Sequence, residues 1–362
     1  MSRNPLFDAI EKQDENQVLC LIRERIDVDA ECYSKFGSPL FCAVERNAES
    51  IASILIEAGA QVDGLVDQEN AIPLHAAIIN GNVRLVRLLL NHGANVSLDN
   101  HYGHGCLHLA AVGKRVEIAA ILLAAGANIN ARDDEGWTPL FFAVYECNID
   151  VVKLLIATPG CEINARNLSG ESALTYISTF HNHAEYDVEL EIAHVLVNAG
   201  AEVDARSKRS WTPLHICCKY GNVGIVRLLL VCGAPVDILS TELGRQTPIE
   251  SFGVTEKIAC LLFAAGAERR KSRFDPAQYR QQIALAANEL KRARVDLIRW
   301  RAYEICAALQ SLQLSAAETC RILEFACEPF SNCVKFHNFW DIAVCVKHFK
   351  DRQKKDDATV AD

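Results

Sequence analysis

Ile72-Pro73-Leu74-His75-Ala76-Ala77 is a short apolar run opened by proline and carrying one histidine, and the chain repeats it. Its relatives are Ser38-Pro39-Leu40-Phe41, Gly105-Cys106-Leu107-His108-Leu109-Ala110-Ala111, Trp137-Thr138-Pro139-Leu140 and Trp211-Thr212-Pro213-Leu214-His215. Weaker copies are Asn4-Pro5-Leu6-Phe7, Ser172-Ala173-Leu174 and Gln246-Thr247-Pro248-Ile249. The apolar anchors Leu6, Leu40, Leu74, Leu107, Leu140, Leu174, Leu214 and Ile249 are separated by 34, 34, 33, 33, 34, 40 and 35 residues. A second marker keeps step with them: Gly59, Gly93, Gly126, Gly160, Gly200, Gly233 and Gly266. A fixed period of this length specifies a stack of small units, each too small to bury its own apolar face.

Each unit has a physical reading. Thr-Pro opens a helix, because the hydroxyl caps backbone N–H groups and proline is tolerated at the first helical position. The helix is short and Ala-rich and stops near Gly81-Asn82 or Gly221-Asn222. A second helix with a Leu-rich face follows, as in Val83-Arg84-Leu85-Val86-Arg87-Leu88-Leu89-Leu90. Glycine then ends it in the left-handed conformation, and a loop rich in Asp, Asn and Gly leads to the next unit.

These motifs resemble the ankyrin repeat, with its Thr-Pro-Leu-His signature and a Gly-Ala near the repeat end. The resemblance covers about eight units over residues 4–268. It implies an all-α solenoid of helix pairs with loop or β-hairpin fingers, with residues 1–268 as the array. The first unit, with Arg25-Ile26-Asp27-Val28 where Gly-Ala would stand, and the last, with Ser251-Phe252-Gly253-Val254, read as end caps. The sixth unit carries about seven extra residues within 179–189, read as a longer loop between its two helices.

Beyond residue 269 the period ends. Residues 269–352 read as a small helical module, and 353–362 as a disordered tail. Asp275-Pro276 is a good helix start, and a helix running to about Gln310 with one break is expected. Ser315-Ala316-Ala317-Glu318 forms a capping box, Pro329 ends that helix, and 335–349 supplies a last amphipathic one. Leu312-Gln313-Leu314-Ser315, Ile322-Leu323 and Trp340 loosely resemble an F-box, and the placement is similar to that of a SOCS box after an ankyrin array. Ser315 stands where the F-box proline would be, and no elongin-binding Leu-x-x-x-Cys start lies at the expected distance. Two readings stay open here: a helical cap over the last repeat, or a module recruiting ubiquitin-ligase subunits through 269–352.

Composition excludes several classes. Half of the 362 residues are apolar and 23% are charged, as in ordinary globular proteins. No apolar run reaches the length of a membrane span, and residues 1–15 show no signal pattern, so no membrane role is expected. Residues 1–270 hold 22 Lys/Arg against 34 Asp/Glu, and 271–362 hold 15 against 12. An acidic body argues against nucleic-acid binding, which draws its affinity from cations on phosphates. Fifteen cysteines with no C-x-x-C pattern, several set among Leu, Ala and Val, point to free thiols in a cytoplasmic chain.

No phosphate-cradling glycine loop, nucleophile elbow or metalloprotease motif is present, so no enzyme, cofactor or metal site is expected. His75, His108 and His215 fill one slot in different repeats and read as local hydrogen bonds tying a turn to a helix. His181, His183, Glu185 and Asp187 read as a solvated loop. The spacing of Cys320, Cys327, Cys333, Cys345, His337 and His348 fits no zinc module. The 269–301 stretch, with ten Lys/Arg and three acids, reads as a solvated helix face or as a contact for an acidic partner.

The strongest functional signal is a surface. In ankyrin proteins the fingers and the ends of the first helices line a concave groove. Aligned on the repeat, those positions are His101, Tyr102, His104, Asp134, Glu135, Trp137, Tyr145, Glu146, Lys208, Arg209, Trp211, Lys219 and Tyr220. Aromatic residues of this kind dominate protein interfaces. The resemblance therefore implies a scaffold, monomeric by itself, that holds a protein partner in its groove. The alternative is a ubiquitin-ligase adaptor in which the groove selects a client.

Overall fold

The computed structural model describes residues 4–30, 37–64, 71–179, 186–241, 245–268 and 274–311; for 186–187 and 298–311 the backbone alone is described. The chain divides into two compact units, Met1–Leu168 and Ser169–Asp362. Regular structure among the described residues is helical.

The first unit holds five helix pairs: α1 (Pro5–Glu11) with α2 (Glu15–Arg23), α3 (Pro39–Glu45) with α4 (Glu49–Glu57), α5 (Pro73–Asn80) with α6 (Val83–Asn91), α7 (Cys106–Val112) with α8 (Val116–Ala124), and α9 (Pro139–Tyr145) with α10 (Ile149–Ala157). Helices α1, α3, α5, α7 and α9 stack in order, and α2, α4, α6, α8 and α10 form a second row. Local chemistry sets each pair. Ser38 accepts a bond from the Phe41 N–H at 3.1 Å and Thr138 from Phe141 at 3.4 Å, with proline next in the chain. Asn82 caps α6 through the Leu85 N–H at 3.1 Å. The turn between paired helices needs a left-handed residue seven positions after the anchor: Gln13, Asn47, Gly81, Lys114 and Cys147 all have φ between 51° and 71°.

The anchors are the core. Leu6, Leu40, Leu74, Leu107 and Leu140 are at most 2% exposed, and they meet Ile51, Leu55, Leu85, Leu89, Ile118 and Leu122 of the second row. Burying each such side chain contributes about 1.5–3 kcal/mol, which a lone helix pair cannot gather.

The second unit holds α11 (Ala173–Ile177) with α12 (Tyr186–Asn198), and α13 (Pro213–Tyr220) with α14 (Val223–Val231). A 3-10 turn (Pro248–Glu250) with α15 (Glu256–Ala264) and a long α16 (Arg280–Ser311) follow. The insertion differs from the expected loop: part of it winds into α12, which has 13 residues where α14 has 9. In the eighth repeat the first helix shrinks to the 3-10 turn, and just past it Gly253 brings its backbone against the Lys219 carbonyl where a Cβ has no room.

Helix α16 corrects two expectations. Asp275 accepts from the Ala277 N–H at 3.0 Å in a preceding turn, and the helix proper begins only at Arg280. It then runs unbroken for 32 residues, since no Gly or Pro interrupts it and one face packs on α14 and α15. On that face Ala286 and Leu297 are buried, and Ile283, Leu290 and Ala293 are half-buried, at alternating three- and four-residue spacings. Arg227 of α14 pairs with Glu289 at 3.1 Å, and the Tyr279 hydroxyl donates to Glu256 at 3.2 Å. The capping box at Ser315, Pro329, the helix expected over 335–349, the ligase-box resemblance, the Cys320–His348 cluster and the 353–362 tail lie outside the described residues. So do His181, His183 and Glu185 of the insertion, and the Asp187 side chain.

Between pairs the chain makes fingers closed by single antiparallel hydrogen bonds. The Asn100 N–H donates to the His104 carbonyl at 3.1 Å beside an Asp99–Gly105 bridge, and Asp133 donates to Trp137 at 3.1 Å. In the second unit Ser207 donates to Trp211 at 3.0 Å and Ser240 to Gln246 at 2.9 Å. Neighbouring fingers are tied too, by Asp134 N–H to Tyr102 at 3.4 Å, Leu168 to Glu135 at 2.9 Å, and Thr241 to Arg209 at 3.1 Å. Gly103 makes that approach possible: it sits at φ 73°, and a Cβ there would lie 2.8 Å from the Asp134 nitrogen.

Candidate functional site

The recurrent histidines are structural. In each, Nδ1 accepts the backbone N–H at the helix start: Ile72 to His75 at 3.4 Å, Gly105 to His108 at 3.0 Å, and Thr212 to His215 at 3.3 Å. With Nδ1 an acceptor, Nε2 carries the proton and donates to the next finger, at Leu98 (3.0 Å), Trp137 (3.0 Å) and Gln246 (3.1 Å). The turn-to-helix bond expected from sequence is present, and a bond to the following repeat is added to it. Burial holds His108 in the neutral form, its pKa pushed down to about 4. Burial also lowers that of His215.

In the first unit the structure brings the sequence candidates His101, Tyr102, His104, Trp137 and Tyr145 into two linked groups of rings. Tyr102 lies between His101 (3.6 Å between ring centroids) and His104 (5.6 Å). His104 meets Phe142 edge-on at 5.0 Å, and Phe142 is 5.5 Å from Trp137, which is 5.7 Å from Tyr145. Tyr102 is 52% and Tyr145 45% exposed, whereas Trp137 is half-buried against Phe141 at 4.6 Å. Trp137 thus packs in part against Phe141 at the finger base while the rest of it stays open. Asp134 and Glu135 are exposed at the finger tip and Glu146 is half-exposed past α9. His104 Nε2 stands 3.6 Å from the Asp133 carboxylate, which is nearly buried and accepts the Glu135 and Trp137 N–H groups. Burial, and after it the Asp134 charge, raises the Asp99 carboxyl pKa, with His104 opposing.

In the second unit the remaining candidates form a basic counterpart. The Lys219 ammonium lies over Trp211 at 4.6 Å and Tyr220 at 5.3 Å, a cation–π arrangement. The Trp211 indole nitrogen is buried without a hydrogen-bond partner. Tyr220 is half-buried, while Lys208 and Arg209 are exposed on the finger. A cleft of about 740 Å³ lies alongside, lined by Arg206, Ser210, Asp237, Ser240, Thr241 and Arg245 among others.

Sequence reasoning did not name Ile79, Leu109, Val112 and Phe142, which share the surface of the first unit. Ile79 (58% exposed), Val112 (39%) and Tyr145 each stand five residues after an anchor. That register was present in the sequence, but Ile and Val in a helix read as core until the exposed side is known.

Comparison with known proteins agrees with this architecture. Ankyrin repeats (3 copies) match residues 6–100, 56–133 and 95–167, and ankyrin repeats (many copies) match 180–230. The ankyrin repeat protein FPV230 of fowlpox virus (strain NVSL) is 32% identical, over 29% of this chain and 68% of its own length. Protein phosphatase 1 regulatory subunit 27 of Homo sapiens and of Mus musculus is 40% identical in each case. The match covers 15% of this chain and 34% of the regulatory subunit. With two rows of capped helices, histidine ties between repeats and exposed ring-bearing fingers, the chain is an all-α repeat protein of the interaction-module class. It belongs to the ankyrin-repeat family, whose members are generally non-enzymatic modules of protein–protein interaction. Among the described residues no helix is long and apolar enough to cross a membrane.

Proposed function

We propose that this protein is a cytoplasmic, non-enzymatic scaffold that binds a protein partner through its fingers and first-helix ends. The binding residues are His101, Tyr102, His104, Asp134, Glu135, Trp137, Tyr145 and Glu146 in the first unit, and Lys208, Arg209, Trp211, Lys219 and Tyr220 in the second. The observation that carries this reading is the half-exposure of Tyr102 and Tyr145 within one run of ring contacts. Rigid aromatic rings held by their neighbours lose little entropy on binding and bury much area. The likeness to a phosphatase regulatory subunit adds a phosphatase to the partners worth testing. Proximity labelling with the full chain, compared with Tyr102→Ala/Tyr145→Ala, tests the reading: partners should be lost from the variant. An unchanged set of partners would overturn it.

The array is proposed to end at 268, with α16 serving as a cap on α14 and α15, a role supported by the buried Ala286 and Leu297. The adaptor alternative rests on the module 269–352 recruiting ligase subunits. Its test is recovery of ligase subunits by the full chain but not by residues 1–268.

A further inference from the structure

The exposed positions five residues past the anchors form a stripe across α5, α7 and α9: Ile79, Val112 and Tyr145. Leu109 and Phe142, two residues past their anchors, are half-buried beside it, and Ala76, the same position in α5, is buried. The rings of Trp137, His104 and Tyr102 continue this apolar surface toward the fingers. An exposed apolar stripe repeated in three successive units is not required for stacking, since the anchors on the other side of each helix already fill the core.

The charge around the stripe is negative on its finger side. The carboxylates of Asp134, Glu135 and Glu146 meet no basic side chain among the described residues. The arginines nearby are committed elsewhere. Arg132 donates to the Arg166 carbonyl at 2.8 Å and pairs with Glu162 at 3.5 Å. Arg115 lies against Gly81 and donates to the Ile79 carbonyl at 3.4 Å. Lys114, exposed just past Val112, and the Arg115 guanidinium set two positive charges at the helix ends against three negative ones.

We propose that this face receives a partner segment that combines apolar anchors with arginine, the anchors lying on Ile79, Val112 and Tyr145 and the guanidinium between the Tyr102 ring and the Asp134 and Glu135 carboxylates. The proposal rests on the protein-binding reading of the ring face. Arginine fits better than lysine, because its planar fork stacks on a ring and grips a carboxylate at once, whereas an ammonium is a strongly hydrated point charge. An acidic segment lying by the Tyr102 ring would meet the like charges of Asp134 and Glu135, which costs affinity.

The test is selection from a random peptide display library on the full-length chain. Arginine together with aliphatic or aromatic residues should be enriched. A selected peptide should bind about tenfold or more weaker to Tyr145→Ala and to Asp134→Lys/Glu135→Lys, with unchanged circular dichroism, and weaken as salt is raised. Acidic or uncharged peptides that still need Tyr145 would overturn the partner class and leave the ring face standing. Arginine-bearing peptides that bind both variants as well as the parent would overturn the ring face itself. Failure to enrich any peptide would count against both.

Discussion

The imidazole of His108 crosses a repeat boundary to donate to the carbonyl of Trp137 at 3.0 Å, while its other nitrogen closes the turn at Gly105. One neutral side chain thus satisfies two backbone groups in different repeats, and protonation would deprive the Gly105 N–H of its acceptor. With an ordinary value of 6.5 for the unfolded chain and about 4 in the fold, this histidine takes up its proton more readily when unfolded. Its contribution is therefore complete above pH 6.5, falls away as the pH drops toward 4, and levels off below that. The loss approaches roughly 3 kcal/mol for His108, and His215 adds to it in the same direction. Urea denaturation at a series of pH values between 7 and 4 should show it, and His108→Gln should flatten the slope.

Tyr145 is 45% exposed, and its ring meets that of Trp137, which has other neighbours. Tyr145→Ala/Tyr220→Ala should weaken partner binding by about 2 kcal/mol or more, with the melting temperature of Tyr145→Ala alone nearly unchanged. Calorimetric titration with the partner recovered by proximity labelling measures the first part, and a thermal melt the second. Equal binding by the double variant would move the interface elsewhere.

Lys114 holds φ at 56° in the slot where Gly81 and Gly221 stand in other repeats. A side chain in that conformation costs roughly 1–2 kcal/mol, part of which glycine returns as freedom of the unfolded chain. Lys114→Gly should raise stability by up to about 1 kcal/mol, read from the denaturation midpoint. The parallel change of Gly81 to lysine should lower it by more, because Arg115 already occupies the space beside its Cα.

Leu297 is 7% exposed on the face of α16 that packs on α14 and α15. Leu297→Asp places a charge where an apolar contact stood and should cost about 2–4 kcal/mol if α16 is a cap. Hydrogen exchange should then rise in α14 and α15 first. No change in those helices would favour a free-standing recruitment module.

Much of this was legible in the sequence. Leu74-His75 and Leu107-His108 announce both the core anchor and the bond beside it, because each repeat reuses one local solution at one spacing. Less legible were features that depend on what a helix meets. The backbone of 186–189 belongs to α12, which is longer than its counterparts, and α16 runs unbroken with its 283–297 face docked on α14 and α15. The candidate surface was read in part. Tyr102 and Tyr145 emerge when the repeats are aligned on the fingers and first-helix ends, but Ile79 and Val112 look like core until stacking decides which side of α5 and α7 is covered.

The ties between fingers, Tyr102 to Asp134 and Glu135 to Leu168, are made by backbone groups alone. Within each finger a single side chain at its base holds the turn: Asn100 accepts the Tyr102 and His104 N–H groups, and Asp133 those of Glu135 and Trp137. The carboxylates of Asp134 and Glu135 take no part in these ties and can be exchanged while the loops keep their spacing. Specificity and architecture are written in separate alphabets here, so a new partner can be acquired by rewriting tip side chains without refolding the protein.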